Sequence, residues 1–282
     1  MTLSMDRVCG IGDEAAIDLP EQVSIFTALG LRGLELRSVA GRLSHELDDD
    51  AVRRLAATIE DARLTVPVVD TPIGGWATTL ATPLSDEVDL LRAYAAVARR
   101  VGCSRLRIMS YPSDGRPEPE WGRESIRRVG VLVREAVSLG VTLLHENCHG
   151  WASRDAESTL ALLRAVEDER LRLIFDAGNG MAYGYEGFEF LQAVLPWVEH
   201  VHIKDAVLVN EQPVWVTPGQ GTARLTEMLE TLAAAGYDGW LSLEPHVALI
   251  PHTGVEAADD VRGRTFAACV RGLRTLIDGL GS

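Results

Sequence analysis

The chain has 282 residues and a formal net charge of −14 at pH 7, with 46% of residues hydrophobic and 24% charged. That balance is ordinary for a globular protein, and a chain this long buries enough surface to need no disulfide staples. The acidic excess argues against nucleic acid and anionic membrane surfaces as partners, since both ask for a basic footprint, while leaving a small anionic substrate open.

In chain order, short runs rich in Val, Ile and Leu alternate with longer segments of helical spacing. Strands are predicted at roughly 6–11, 33–37, 65–70, 105–110, 141–146, 172–176, 199–203 and 240–244. Helices are predicted between and after them, at roughly 20–29, 49–62, 85–101, 121–139, 155–167, 186–195, 222–235 and 257–278. Val52, Leu55, Ala56 and Ile59 fall on one face of the second helix. Leu90, Tyr94, Val97 and Val101 do the same in the third. Gly102, Gly140 and Gly236 close helices and lead into the next strand, the punctuation of an αβ loop. The strands are apolar on both faces, as parallel strands covered by helices are.

Eight such units without a linker or low-complexity tract predict one domain over 1–282, an α/β (β/α)₈ TIM barrel. A doubly wound open sheet is the rival. Its dinucleotide form lacks the GxGxxG that should open the first helix, and GLRGLE and PGQGTA stand in the wrong context for a phosphate cradle. Cys9, Cys103, Cys148 and Cys269 are scattered without a CxxC pair and are expected to be free thiols of a reducing compartment. Together with an N-terminus unlike a signal peptide and no apolar run of membrane-spanning length, this predicts a cytoplasmic protein with no membrane partner.

Barrel active sites lie at the C-terminal ends of the strands. There the fifth strand, VTLLHE, ends at Glu146, and the sixth, LRLIFD, at Asp176. The seventh, VEHVHIKD, carries His202, and the eighth, GWLSLE, ends at Glu244. The spacings of 30, 26 and 42 residues are each about one βα unit. Any one of these alone reads as a helix cap, a solvated charge or a packed histidine. Three carboxylates converging on one rim repel one another, and burying them unpaired is costly. A divalent cation resolves this, and one His with three carboxylates suits Mn²⁺, and less distinctively Mg²⁺, Co²⁺ or Zn²⁺.

At this point the chain resembles the sugar phosphate isomerase/epimerase group, the xylose isomerase-like TIM barrels. The resemblance runs through LGLRGLELR, TPIGG, GCSRLRIMSY, LLHEN, FDAGN, VHIKDA, PGQG and GYDGWLSLEPH, nearly the whole chain. It implies one metal, usually manganese, on Glu146, Asp176, His202 and Glu244, and a homo-oligomer, dimer or tetramer. It also implies that Glu146 and Glu244 exchange a proton next to a carbonyl through a metal-stabilised enediolate. The sequence departs from the sugar epimerases at Asn179, where they often have histidine, at Leu208, where they tend to have arginine, and at Gly75, where relatives often have lysine. The metal core therefore transfers better than any sugar specificity.

Further substrate-contact candidates are Lys204, His246, Arg37, Asn179 and Trp151. Lys204 lies in phase with His202, with pairing to Asp205 as its alternative; Arg37 could clamp a carboxylate or pair with Glu35. Trp76 and His149 are candidate pocket walls, His145 is expected to face the helices, and Asp114, Arg116 and Glu118 sit in a Pro-rich loop that could form a lid. The favoured function is a metal-dependent isomerase or epimerase of a sugar, sugar acid or cyclitol. The alternative is a lyase or dehydratase on the same core, including the C-glycoside-cleaving type. An abasic-site endonuclease, which shares the barrel, and a barrel that only binds a ligand are weaker readings.

Overall fold

The computed structural model describes residues 3–250 and 255–280. Seven parallel strands form its main sheet. Taken around the sheet they are Val8–Gly10, Trp240–Leu243, Val198–Ile203, Leu171–Asp176, Thr142–Gly150, Arg105–Ser110 and Val69–Asp70. The predicted second strand is not a ladder strand. Residues 33–36 close the gap by single bridges, Ile11 with Glu35 on one side and Gly33 with Thr65 and Leu36 with Val69 on the other. Glu35 N donates to Gly10 O at 2.8 Å and Leu36 N to Val68 O at 3.1 Å, so the curled sheet closes as a barrel.

Helices cover the outside at Leu19–Ala28, Asp49–Asp61, Leu84–Arg100, Glu118–Leu139, Ala156–Val166, Gly187–Val194, Leu225–Ala234 and Asp259–Gly279. Their ends follow local chemistry. Asp48 caps Asp49–Asp61 by accepting from Ala51 N, and Asp155 caps Ala156–Val166 by accepting from Ser158 N, each answering an otherwise orphaned amide. Gly140 ends Glu118–Leu139 at φ 73°, the left-handed cap that glycine adopts without strain. No helix of the described residues is long and apolar enough to cross a membrane.

The strand predicted to end at Glu146 runs on to Gly150, where it meets Ser110 across an irregular register. After Val198–Ile203 the chain forms an antiparallel hairpin, Asp205–Val209 with Gln212–Val216. Asn210 and Glu211 take positive φ at its tip.

Most apolar burial lies between sheet and helices. Inside the barrel, Val68, Leu144 and Ile174 form a small separate apolar cluster. Each stands two residues before a carboxylate, Asp70, Glu146 or Asp176, and period-2 alternation sets those acids one layer above on the same inner face. The main apolar packing thus fixes the outside of the sheet, while the inner face turns polar at the C-terminal rim.

Candidate functional site

Glu146, Asp176, His202 and Glu244 converge on the inner face, all buried, with one ligand atom from each lying within 4.8 Å of the others. The ladder registers make this necessary: Asp176 pairs with His202, His202 with Ser242, and Glu146 with Ile174. His202 Nδ1 lies 3.3 Å from Glu146 Oε1, 3.3 Å from Glu244 Oε2 and 3.9 Å from Asp176 Oδ2. Its other nitrogen, Nε2, is 3.0 Å from Glu35 Oε1, and Glu35 Oε2 is 2.8 Å from His200 Nε2. Glu35, buried at the second-strand position, thus ties down two imidazoles at once.

Asp176 spends one oxygen locally: Oδ1 accepts from the backbone of Gly178 and Asn179 at 2.8 and 2.7 Å. The other, Oδ2, like Glu146 Oε2 and Glu244 Oε2, is buried and receives no hydrogen bond. Cations stand close by. Lys204 Nζ is 3.0 Å from Asp176 Oδ2 and 2.9 Å from Glu244 Oε2, and Arg107 lies 3.3 Å from Glu146 Oε2. Burial alone would raise every carboxyl pKa. Burial prevails at Asp176, whose carboxyl is pushed up. At Glu244 it is overcome by Lys204 and His246, and at Glu146 by Arg107 and His202, so both are held down.

This donor set fits a divalent cation. It offers three inward carboxylate oxygens without hydrogen bonds and an imidazole nitrogen whose partner nitrogen is held by a carboxylate, the usual support of a metal-bound histidine.

The cluster floors a cavity of about 380 Å³. Arg37, Asn179, Lys204, Glu244 and His246 all line it, with Trp76, Tyr183 and Trp215. Lys204 does not pair with Asp205. Asp205 instead accepts from the backbone of Gly219 and Gly221, each at 2.9 Å. A Cβ on Gly221 would come within 2.4 Å of the Asp205 carboxylate carbon, so PGQG is a structural anchor. Arg37 does not pair with Glu35 either; it holds Asp13, Glu14 and Glu244, the last at 2.8 Å. His246 Nδ1 is 3.0 Å from Glu14. Asn179 Nδ2 reaches Glu146 Oε1 at 3.4 Å, and its carbonyl accepts from Lys204 at 3.3 Å.

Trp151 is placed elsewhere. Gly150, at φ 112°, turns the chain outward. The indole then packs on Gly122 and donates to Glu118 at 2.8 Å on the outer side of the barrel, away from the cavity. Glu118 serves that contact and Arg154, while Asp114 pairs with Arg116, and none of the three lines the cavity. His149 stacks on Trp76 with ring centroids 5.2 Å apart. His145 is buried among Thr159, Phe190 and Val194 on the helical side, and burial lowers its pKa to about 4.

Sequence reasoning passed over Arg107, Asp70, Asp13 and Glu14. The signal for Arg107 was present: RLRIMS carries a second arginine, in phase with Arg105, between the apolar Leu106 and Ile108. Trp215 offered none, because only the hairpin returns it to the rim.

A family model described as "Xylose isomerase-like TIM barrel" matches residues 24–263. An inosose dehydratase of Geobacillus thermodenitrificans is 25% identical over 144 residues, covering 45% of this chain and 47% of that protein. The chain spans about half the length of the curated relatives it matches. Among solved structures, a xylose isomerase domain protein from Planctomyces limnophilus superposes with a TM-score of 0.77 at 19% identity, covering 99% of both chains. The IOLI protein, described with a bound zinc atom, gives 0.75 at 16% identity over 96% of this chain and 98% of its own.

Proposed function

The chain belongs to the xylose isomerase-like TIM barrel family, and from that premise we propose a divalent-metal-dependent isomerase or epimerase of a sugar-like carbonyl compound. Glu146, Asp176, His202 and Glu244 are the proposed ligands. The observation that carries the reading is the convergence of three buried carboxylates on His202 Nδ1, with one ligand atom from each of the four residues within 4.8 Å of the others and one oxygen of each carboxylate without a hydrogen bond. A bound divalent ion would supply Lewis acidity to a carbonyl oxygen as negative charge develops there. The zinc atom in the IOLI structure supports a metal at such a site without fixing the ion; Mn²⁺ suits the oxygen-rich set best.

The protein's own groups do the rest. Glu146 and Glu244, held anionic by Arg107 and Lys204 respectively, are the proposed bases. The anionic partner takes the proton from the carbon next to the carbonyl, while the other, having first picked up a proton from solvent, delivers it to the opposite face, and the first then gives its proton to solvent to restore the pair. Arg37 and Lys204 fix the Glu244 carboxylate, and Asn179 bridges Lys204 to Glu146.

The second reading is a dehydratase or other lyase, favoured by the relative named above and by His246. That imidazole lines the cavity 3.9 Å from Glu244 and could protonate a leaving group. The test is incubation of the metal-loaded protein with ketoses, inososes and keto-glycosides in D₂O. Deuterium uptake without elimination supports isomerisation, and loss of water or aglycone supports the lyase. No exchange and no elimination in any substrate would contradict both.

A further inference from the structure

Below the four converging residues, toward the N-terminal ends of the strands, the barrel holds a second group of metal-ligating side chains whose chemistry is independent of the proposed reaction. His200 stands two residues before His202 in Val198–Ile203, so alternation sets its ring one layer lower on the same inner face. Cys9, in Val8–Gly10, and Glu35 reach that layer too. One ligand atom from each of Cys9, Glu35 and His200 lies within 4.8 Å of the others. All three are buried, and Cys9 is a free thiol.

Glu35 spans the two layers. Its Oε1 faces His202 Nε2 at 3.0 Å and its Oε2 faces His200 Nε2 at 2.8 Å. Among the described residues no Lys or Arg forms an ion pair with it. A divalent ion on a thiolate, a carboxylate and a neutral imidazole leaves no net charge in the interior, the condition on which such a set is cheaply buried. The donor types differ from those above. One sulfur, one nitrogen and one oxygen suit Zn²⁺ or Co²⁺, whereas Mn²⁺ prefers the oxygen-rich set.

An entry path lies at the end of the barrel opposite the catalytic cavity. There a separate cavity of about 390 Å³ is lined by His200, Glu199 and Tyr237, and by Arg105 and Trp240, the first residues of their strands. Glu199 pairs with Arg105 at this mouth, so the arginine charge is offset where a cation would enter.

We propose that Cys9, Glu35 and His200 hold a second divalent ion of the zinc class, with water from this lower cavity as its fourth ligand. Binding replaces the Cys9 S–H bond with a sulfur–metal bond and releases that proton to solvent. Glu35 then serves both layers, as ligand to the lower ion and as the carboxylate that orients His202.

The test is a Co²⁺ titration of the full chain after chelation of bound metal, read by absorption. A thiolate-to-cobalt charge-transfer band is expected to grow and saturate, and to persist in excess Mn²⁺. It is expected to be lost in Cys9→Ser and kept in Cys148→Ser, whose sulfur lines the catalytic cavity instead. His200→Gln is expected to weaken Co²⁺ binding by about tenfold or more, since even an outer partner of a ligand is worth roughly that much. No band in the native sequence, a band that survives Cys9→Ser or disappears in Cys148→Ser, or unchanged affinity in His200→Gln would overturn the proposal. Should Cys9→Ser fail to fold, anomalous diffraction from native crystals grown with Co²⁺ decides. A peak within coordination distance of Cys9 Sγ supports the site, and a peak at Glu146, Asp176, His202 and Glu244 alone overturns it.

Discussion

At the scale of single residues, the chemistry rests on carboxylates that burial would neutralise and neighbouring cations keep charged. Glu146→Gln and Glu244→Gln preserve size and remove the base. Each is expected to lower kcat on a turned-over substrate by about 10²–10⁴, the usual contribution of a positioned proton acceptor; a variant keeping most of its turnover would remove that residue from the proton transfer. Glu35 acts through His202. Its two oxygens accept from two imidazoles, and a glutamine has only one such oxygen, so Glu35→Gln forces one imidazole to change its protonated nitrogen. Metal affinity is expected to fall about 10–100-fold, the range for loss of a ligand's outer partner, with ¹⁵N shifts of His202 reporting the change of tautomer. Unchanged affinity and shifts would make Glu35 a packing residue only. The four converging positions were legible because each lies at or near the end of a predicted strand, about one βα unit after the last. Asp70 and Glu14 were not read, since an ion pair across strands far apart in sequence leaves no local spacing; Arg107 did leave a signal, the arginine within RLRIMS, and was passed over.

At the scale of elements, the αβ rhythm was readable because apolar periodicity, N-cap acids and C-terminal glycines agree with one another. Where they failed, tertiary geometry decided. Residues 33–36 carry strand-like composition yet make only bridges, and Gly150 turns Trp151 out to Glu118–Leu139. That helix is also pinned by a buried pair. Arg128 binds Glu87 at 2.9 Å and donates to the Leu80 and Thr82 carbonyls, while Tyr111 donates to the same Glu87. Arg128→Met leaves Glu87 buried without its cation, and chemical denaturation is expected to show a loss of about 3–5 kcal/mol. A loss under about 1 kcal/mol, the level of an exposed pair, would mean that the site relaxes and admits water.

At the scale of the whole molecule, a net charge of −14 coexists with a rim that gathers still more acid around one point. A fold can hold such a cluster because helices cover the outside of the sheet and leave the inner face free to be polar. The barrel was legible from the sequence for the same reason, whereas the cavity walls were not, since they come from loops and a hairpin whose packing no periodicity records. The central claim is that one divalent ion joins Glu146, Asp176, His202 and Glu244. Anomalous diffraction from crystals grown with Mn²⁺ measures this directly. The account predicts a single strong peak within coordination distance of all four side chains, absent in His202→Ala; a peak elsewhere, or none, would contradict it.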